Sequence, residues 1–263
     1  MNTEALMTPR EREAAAVRLF ERAGAGETVD LAVLSAMERC VLGGPKQALF
    51  EQEVVQAWNE FGEKRRTKAM DANLATLRER GLLLDDAPEG PGVAAWSVSP
   101  ELGILLGACE RPTYVVATEV EGRQTRCLQF FAVGDLEQPV RGVVVEEPVA
   151  LPPGAYKHVK NLGPLGWMTR YRLVSETAAA GILADVALVP RQDKDGTYPY
   201  NIRRFRHHDG RPVTEAGLSV IGAGTSARVR LFKGDPRNPD DVVLVDPEGL
   251  RGLLTRVLTA GAW

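Results

Sequence analysis

The run Leu74-Ala75-Thr76-Leu77-Arg78-Glu79-Arg80-Gly81-Leu82-Leu83 decides how the first half of this 263-residue chain reads. Met70, Leu74 and Leu77 fall on one face of a helix expected from Thr67 to Arg80, and Gly81 ends it. Leu82 to Leu84 then open a strand. Asp85-Asp86-Ala87-Pro88-Glu89-Gly90-Pro91-Gly92 is a turn-rich tip, and Val93 to Val98 return as a second strand. Ser99-Pro100-Glu101, a capping residue before a proline, starts a short helix.

Upstream, Thr8-Pro9-Arg10-Glu11 starts a helix that carries Ala16, Val17, Leu19, Phe20 and Ala23. Asp30 starts a second, with Leu31, Leu34, Met37, Val41 and Leu42 on it and Gly43-Gly44-Pro45 closing it. A third, over 47–61, aligns Leu49, Phe50, Val54, Val55, Trp58 and Phe61, and Gly62 breaks it. Leu49, Val54, Trp58, Met70, Leu74, Leu77 and Trp96 are expected to share one core. With Leu77 to Leu83 before the hairpin and Ser99 to Gly103 after it, the stretch from Gln47 to Val98 resembles the winged helix-turn-helix superfamily, in the manner of the MarR and PadR regulators. That resemblance implies a recognition helix lying in the major groove of duplex DNA and a wing reaching backbone or minor groove.

Carried onto this chain, the resemblance puts Lys64, Arg65, Arg66, Thr67 and Lys68 just before and at the start of the recognition helix, where phosphates are favoured. Asp71, Ala72, Ala75 and Thr76 would face base edges. The acidic wing tip and Asp71 repel phosphate, and residues 1–110 hold 12 Lys and Arg against 18 Asp and Glu. The competing reading is a solvated basic turn on a module that binds protein.

Beyond Arg111 the pattern changes to short strands punctuated by glycine and proline. Expected strands are 114–120, 123–133, 140–145, 155–159, 182–189, 200–205, 218–221, 228–232 and 242–245. Asp246-Pro247-Glu248 starts a last helix bearing Leu250, Leu253, Leu254, Val257 and Leu258. The fold class is therefore α+β: a winged helix-turn-helix followed by a mostly antiparallel α+β domain with a C-terminal helix. The expected divisions are a helical arm over 1–27, the winged helix over 28–110, and a sensing, dimerisation or partner-binding domain over 111–263. Leu151 to Val159 with Gly163-Pro164 is similar, over about a dozen residues, to part of the GyrI-like effector-binding domains, which implies a ligand-sensing role.

In Tyr198 to His208, Arg203, Arg204 and Arg206 form a possible anion site, although strand alternation splits them between two faces. The alternative is an exposed edge strand guarded by charge. Adjacent His207 and His208 point to opposite faces of a strand, so no metal is expected. No nucleophile motif and no cofactor signature is present, and no enzyme is expected. Cys40, Cys109 and Cys127 are odd in number and lack short spacing, so they read as small buried hydrophobes. The apolar runs are too short for a bilayer and the N-terminus lacks a signal-peptide core, so a cytoplasmic chain is expected. The net charge of −3 gives no global basic field. The leading expectation is a homodimeric regulator that binds double-stranded DNA and responds to a small-molecule effector or protein partner. The N- and C-terminal helices are its expected dimer elements. Its rival is a non-enzymatic adaptor or chaperone-like protein that uses the winged helix to hold protein.

Overall fold

The structure is a computed structural model and describes residues 9–43, 52–84, 98–120, 128–133, 141–149, 162–193, 196–208, 211–232 and 239–260. The N-terminal half contributes α1 (Pro9–Gly24), β1 (Val29–Ser35), α2 (Ala36–Gly43), α3 (Gln52–Glu60), α4 (Glu63–Glu79) and α5 (Pro100–Glu110). Then come β2 (Val115–Val120), β3 (Gln129–Val133), β4 (Gly142–Val149), a 3-10 turn over Gly163–Gly166, β5 (Met168–Val174) and α6 (Glu176–Leu188). A two-stranded hairpin, β6 (Gln192–Asp193) and β7 (Gly196–Thr197), leads to β8 (Tyr200–His208), β9 (Arg211–Gly222), β10 (Ala227–Phe232), β11 (Pro239–Val245) and α7 (Pro247–Ala260). Nine of the strands form one sheet in the order β1-β5-β4-β3-β2-β8-β9-β10-β11, with every pairing antiparallel. The expected α+β class with an antiparallel sheet and a C-terminal helix is what the chain adopts.

Alternation along the strands sorts their side chains into two cores. Val116, Phe130, Val143, Val145, Ile202, Leu218, Val220 and Val229 lie under α6 and α7. Val115, Phe131, Val144, Tyr171 and Leu173 face the other way and lie under α1 and α5, joined by Leu77 and Leu83. A third cluster holds α2, α3 and α4 together with Leu165 of the 3-10 turn, through Met37, Val41, Val54 and Trp58.

Two expected elements take another form. Residues 29–35, read as the start of a helix, are a strand, and β1 is the outer strand at one end of the sheet, paired with β5. Leu31 is the extra residue of a bulge between Asp30 and Ala32. The bulge shifts the phase of alternation, so Val29, Leu31 and Leu34 are all buried. Their spacing thereby imitates a helical stripe. The helix proper begins after Ser35, whose hydroxyl accepts from the Glu38 amide at 3.1 Å while the Glu38 carboxylate accepts from the Ser35 amide at 2.7 Å. This reciprocal capping box fixes the start of α2. Residues 182–189, read as a strand, belong almost entirely to α6. Ser175 caps that helix by accepting from the Ala178 amide, and Ala179, Ala180, Ala184 and Ala187 let it lie close on the sheet.

The expected single core of the first half is divided: Val54 and Trp58 are buried in one cluster and Leu77 in another, with Leu74 packed against both, and Met70 is 38% exposed. Leu49 and Trp96 lie outside the described residues, as do the wing tip and residues up to Ser97. Leu83 and Val98 form an isolated antiparallel bridge. The divide expected near residue 110 is crossed by the β1–β5 pairing. It is crossed again by the Arg39–Glu146 ion pair, 2.8 Å long and buried on both sides.

Candidate functional site

The two helices expected to form a helix-turn-helix are α3 and α4, joined by Phe61-Gly62. α4 begins at Glu63, one turn earlier than the sequence pattern indicates, so Lys64 to Lys68 lie in its first turns. It ends in a Schellman motif: Leu82 donates to the Leu77 carbonyl and Gly81, at φ 69°, donates to that of Arg78. At 100° per residue, Leu77 marks the inner face and Lys64, Lys68, Ala72, Ala75 and Glu79 the outer one, with Arg65 and Asp71 at its margins. All of these outer residues are exposed.

The expected DNA-binding residues divide into two sets. Lys64, Arg65 and Lys68 make no hydrogen bond or ion pair with another described residue, and with Asp71 and Ala72 they face solvent. Arg66 donates to the Asn59 carbonyl at 2.7 Å and lies over the Trp58 ring, so it clasps α3 to α4. The Thr67 and Thr76 hydroxyls donate to the Glu63 and Ala72 carbonyls one turn back in their own helix. Arg80, at the C-terminal end of α4, donates to Glu38 at 2.7 Å and to the Val33 carbonyl, which locks the helix to the α2 cap and to β1.

The arginines of β8 serve the fold. β8 is not an edge strand; it lies between β2 and β9. Arg203 pairs with Glu119 at 2.8 Å. Arg204, only 1% exposed, donates to the Val257 carbonyl at 2.6 Å and to that of Leu258, capping the last turn of α7. Its guanidinium also stacks over Tyr114, 4.0 Å from the ring centroid, and approaches Glu215 at 3.1 Å. Glu215 sits at the β-bulge in β9 opposite Arg204 and Phe205, and it also meets Arg206 at 3.3 Å. Burial lowers the Arg204 pKa, and burial with the neighbouring Glu176 charge raises that of Tyr114, whose hydroxyl donates to Glu176 at 3.3 Å. The pocket between β2, β3 and α7 is lined by these same groups, whose polar atoms are turned on one another.

A second buried polar group sits where α2 meets the sheet. Arg39 and Glu146 lie beside the Cys109 thiol and the Tyr171 ring. Burial, helped by the Glu146 charge and opposed by that of Arg39, pushes the Cys109 thiol up to about 12, so it stays protonated at neutral pH. Cys40 is buried as well, as expected of both; Cys127 lies outside the described residues. Among the described residues no three His, Cys, Asp or Glu side chains gather as a metal site would require. Also among them, no helix is long and apolar enough to cross a membrane.

The feature that the sequence reading did not single out is a stretch of one sheet face that no described helix covers. The core under α1 and α5 draws on β1 to β5 and on no residue of β8 to β11. On the face opposite α6 and α7, β10 presents Arg228 and Arg230, and the register sets Leu244 and Val242 of β11 beside them. Ile221 of β9 flanks Arg228 on the other side. Leu244 is 71% exposed, Val242 59% and Ile221 37%. Neither arginine has a hydrogen bond or ion-pair partner among the described residues. No described strand pairs with the far edge of β11. The signal in the sequence is the alternation Arg228-Val229-Arg230, in which a buried valine separates two solvent-facing arginines.

No protein-family model matches the chain, and a search of curated proteins finds no relative of it.

Proposed function

We propose that this chain is a non-enzymatic adaptor that holds a partner protein against the bare end of its sheet. The carrying observation is the exposure of Val242 and Leu244 beside Arg228 and Arg230, which have no described partner, on a strand edge that no described strand meets. Exposed apolar side chains on an open edge strand are what natural proteins avoid, because such an edge recruits another strand. Retained beside a cationic row, they form a receptor surface. The apolar stripes of α1 and α7 are used within the chain, in the two sheet cores, so the adaptor does not depend on them for association.

The regulator reading keeps one observation in its favour: Lys64, Arg65 and Lys68 are exposed and unpaired at the start of a helix in a helix-turn-helix. It ranks second because Asp71 and Glu79 share the outer side of α4, and because Arg66, Thr67 and Thr76 are engaged by the fold. Titration with duplex DNA across a range of salt separates the two. An adaptor shows weak binding that is indifferent to Lys64→Ala/Lys68→Ala. Binding that weakens in that variant, with a salt slope lower by about one per lost phosphate contact, would move the assignment to a DNA-binding regulator.

A further inference from the structure

We infer that the partner binds as an extended strand added to the free edge of β11, with acidic side chains on the face that carries Arg228 and Arg230. This inference rests on the adaptor reading and specifies its ligand. The strand, not a helix, follows from what the edge leaves open. Every second residue of β11 directs its backbone N–H and C=O away from β10, and no described strand meets them. Strand addition satisfies those groups by main-chain hydrogen bonds and leaves specificity to alternate side chains.

The acidic requirement follows from spacing. Adjacent strands lie about 4.8 Å apart, so an added strand runs roughly 10 Å from β10. An arginine extended across Val242 or Leu244 meets a glutamate reaching back from the added strand, whose methylenes then cover the two apolar side chains. Arg228 and Arg230 project to the same face, two residues apart, so two glutamates at alternate positions answer them together. A second copy of this chain does not fit. Pairing two β11 edges would set Arg228 and Arg230 against the apolar run Val242 to Val245 of the second copy, which supplies no carboxylate.

The test uses the full chain and two labelled synthetic peptides, one alternating Glu with Val and the other Lys with Val, with fluorescence anisotropy as the readout. The Glu peptide is expected to bind and the Lys peptide not to bind. In Arg228→Glu/Arg230→Glu the preference reverses, each affinity changing by about tenfold or more. Leu244→Lys weakens the Glu peptide, and hydrogen exchange shows new protection at the amides of 242–245 when that peptide is present. All three substituted positions are exposed, so unchanged thermal melts verify the fold. Equal binding of both peptides, binding without protection at 242–245, or tighter binding of a single-stranded oligonucleotide than of the Glu peptide each overturns the inference. Self-association that Leu244→Lys abolishes would also overturn it, in favour of a second copy. If the Glu peptide fails while a partner protein still cross-links at position 244, the ligand chemistry is wrong and the adaptor reading survives.

Discussion

At the β1 end of the sheet the face turned to α1 and α5 is covered, whereas at the β11 end no described helix lies on that same face. The covered end is held by groups far apart in the chain: the Arg39–Glu146 pair ties α2 to β4, and Arg80 ties α4 to the α2 cap. The open end is stabilised from one side only, by Ala227, Val229, Leu231 and Val245 against the core under α6 and α7. The difference lies in the alternate residues on that face: Val29, Leu34, Tyr171 and Leu173 in β1 and β5, Arg228 and Arg230 in β10.

The largest effects are expected at the covered end. Arg39→Ala leaves Glu146 buried without this partner and should cost about 3–5 kcal/mol in denaturant unfolding. The double replacement Arg39→Met/Glu146→Leu should recover most of that loss, because it removes both charges. If Arg39→Ala is neutral, the helices are not anchored through this pair.

Next is the approach of α6 to β9. A Cβ at Gly222 would lie 2.4 Å from the Ala187 carbonyl oxygen and 2.5 Å from Leu188 backbone atoms. Gly222→Ala should therefore cost about 1–3 kcal/mol by displacing the end of α6, read as a lowered Tm. A variant as stable as the parent would show that the helix end is free to move.

Alkaline pH probes the covered end further. The Cys109 thiol is raised in the fold from an ordinary value of 9.0 to about 12, so its contribution is complete below pH 9 and is lost as pH rises towards 12. Stability should fall over that window by at most about 1.4 kcal/mol per pH unit from this group. Cys109→Ala should flatten the start of the decline, before Tyr114 begins to contribute. An unchanged profile would remove Cys109 from the explanation.

The smallest effects are expected at the open end. Leu244→Ser and Arg228→Gln should each change stability by no more than about 0.5 kcal/mol, because neither side chain is packed. A loss of several kcal/mol in either would mean that these residues support the fold and are not kept for a partner.

Most of the helices were legible because their limits are chemical. Ser99-Pro100 and Asp246-Pro247 mark starts, and Gly81 marks an end. β1 was not legible from periodicity, since one bulge residue turned alternation into a three-residue interval. The pattern Ser35-Ala36-Met37-Glu38 held the missing capping-box signal. The strand expected at 182–189 failed because an apolar run in a helix buried against the sheet resembles a buried strand. The exposed basic residues of α4 could be found from sequence, but the engagement of Arg66 by a carbonyl of α3 could not. The open sheet face was beyond reach for a related reason. It depends on strand order, which sets β11 at an edge and leaves β8 between two neighbours.

The most direct test of the central claim is site-specific cross-linking in the cells that express the protein, with a photo-reactive amino acid in place of either Leu244 or Lys68. The adaptor account expects a discrete protein adduct from position 244 that Arg228→Glu/Arg230→Glu removes, and no nucleic-acid adduct from position 68. A nucleic-acid adduct from position 68 with no adduct from position 244 would contradict it.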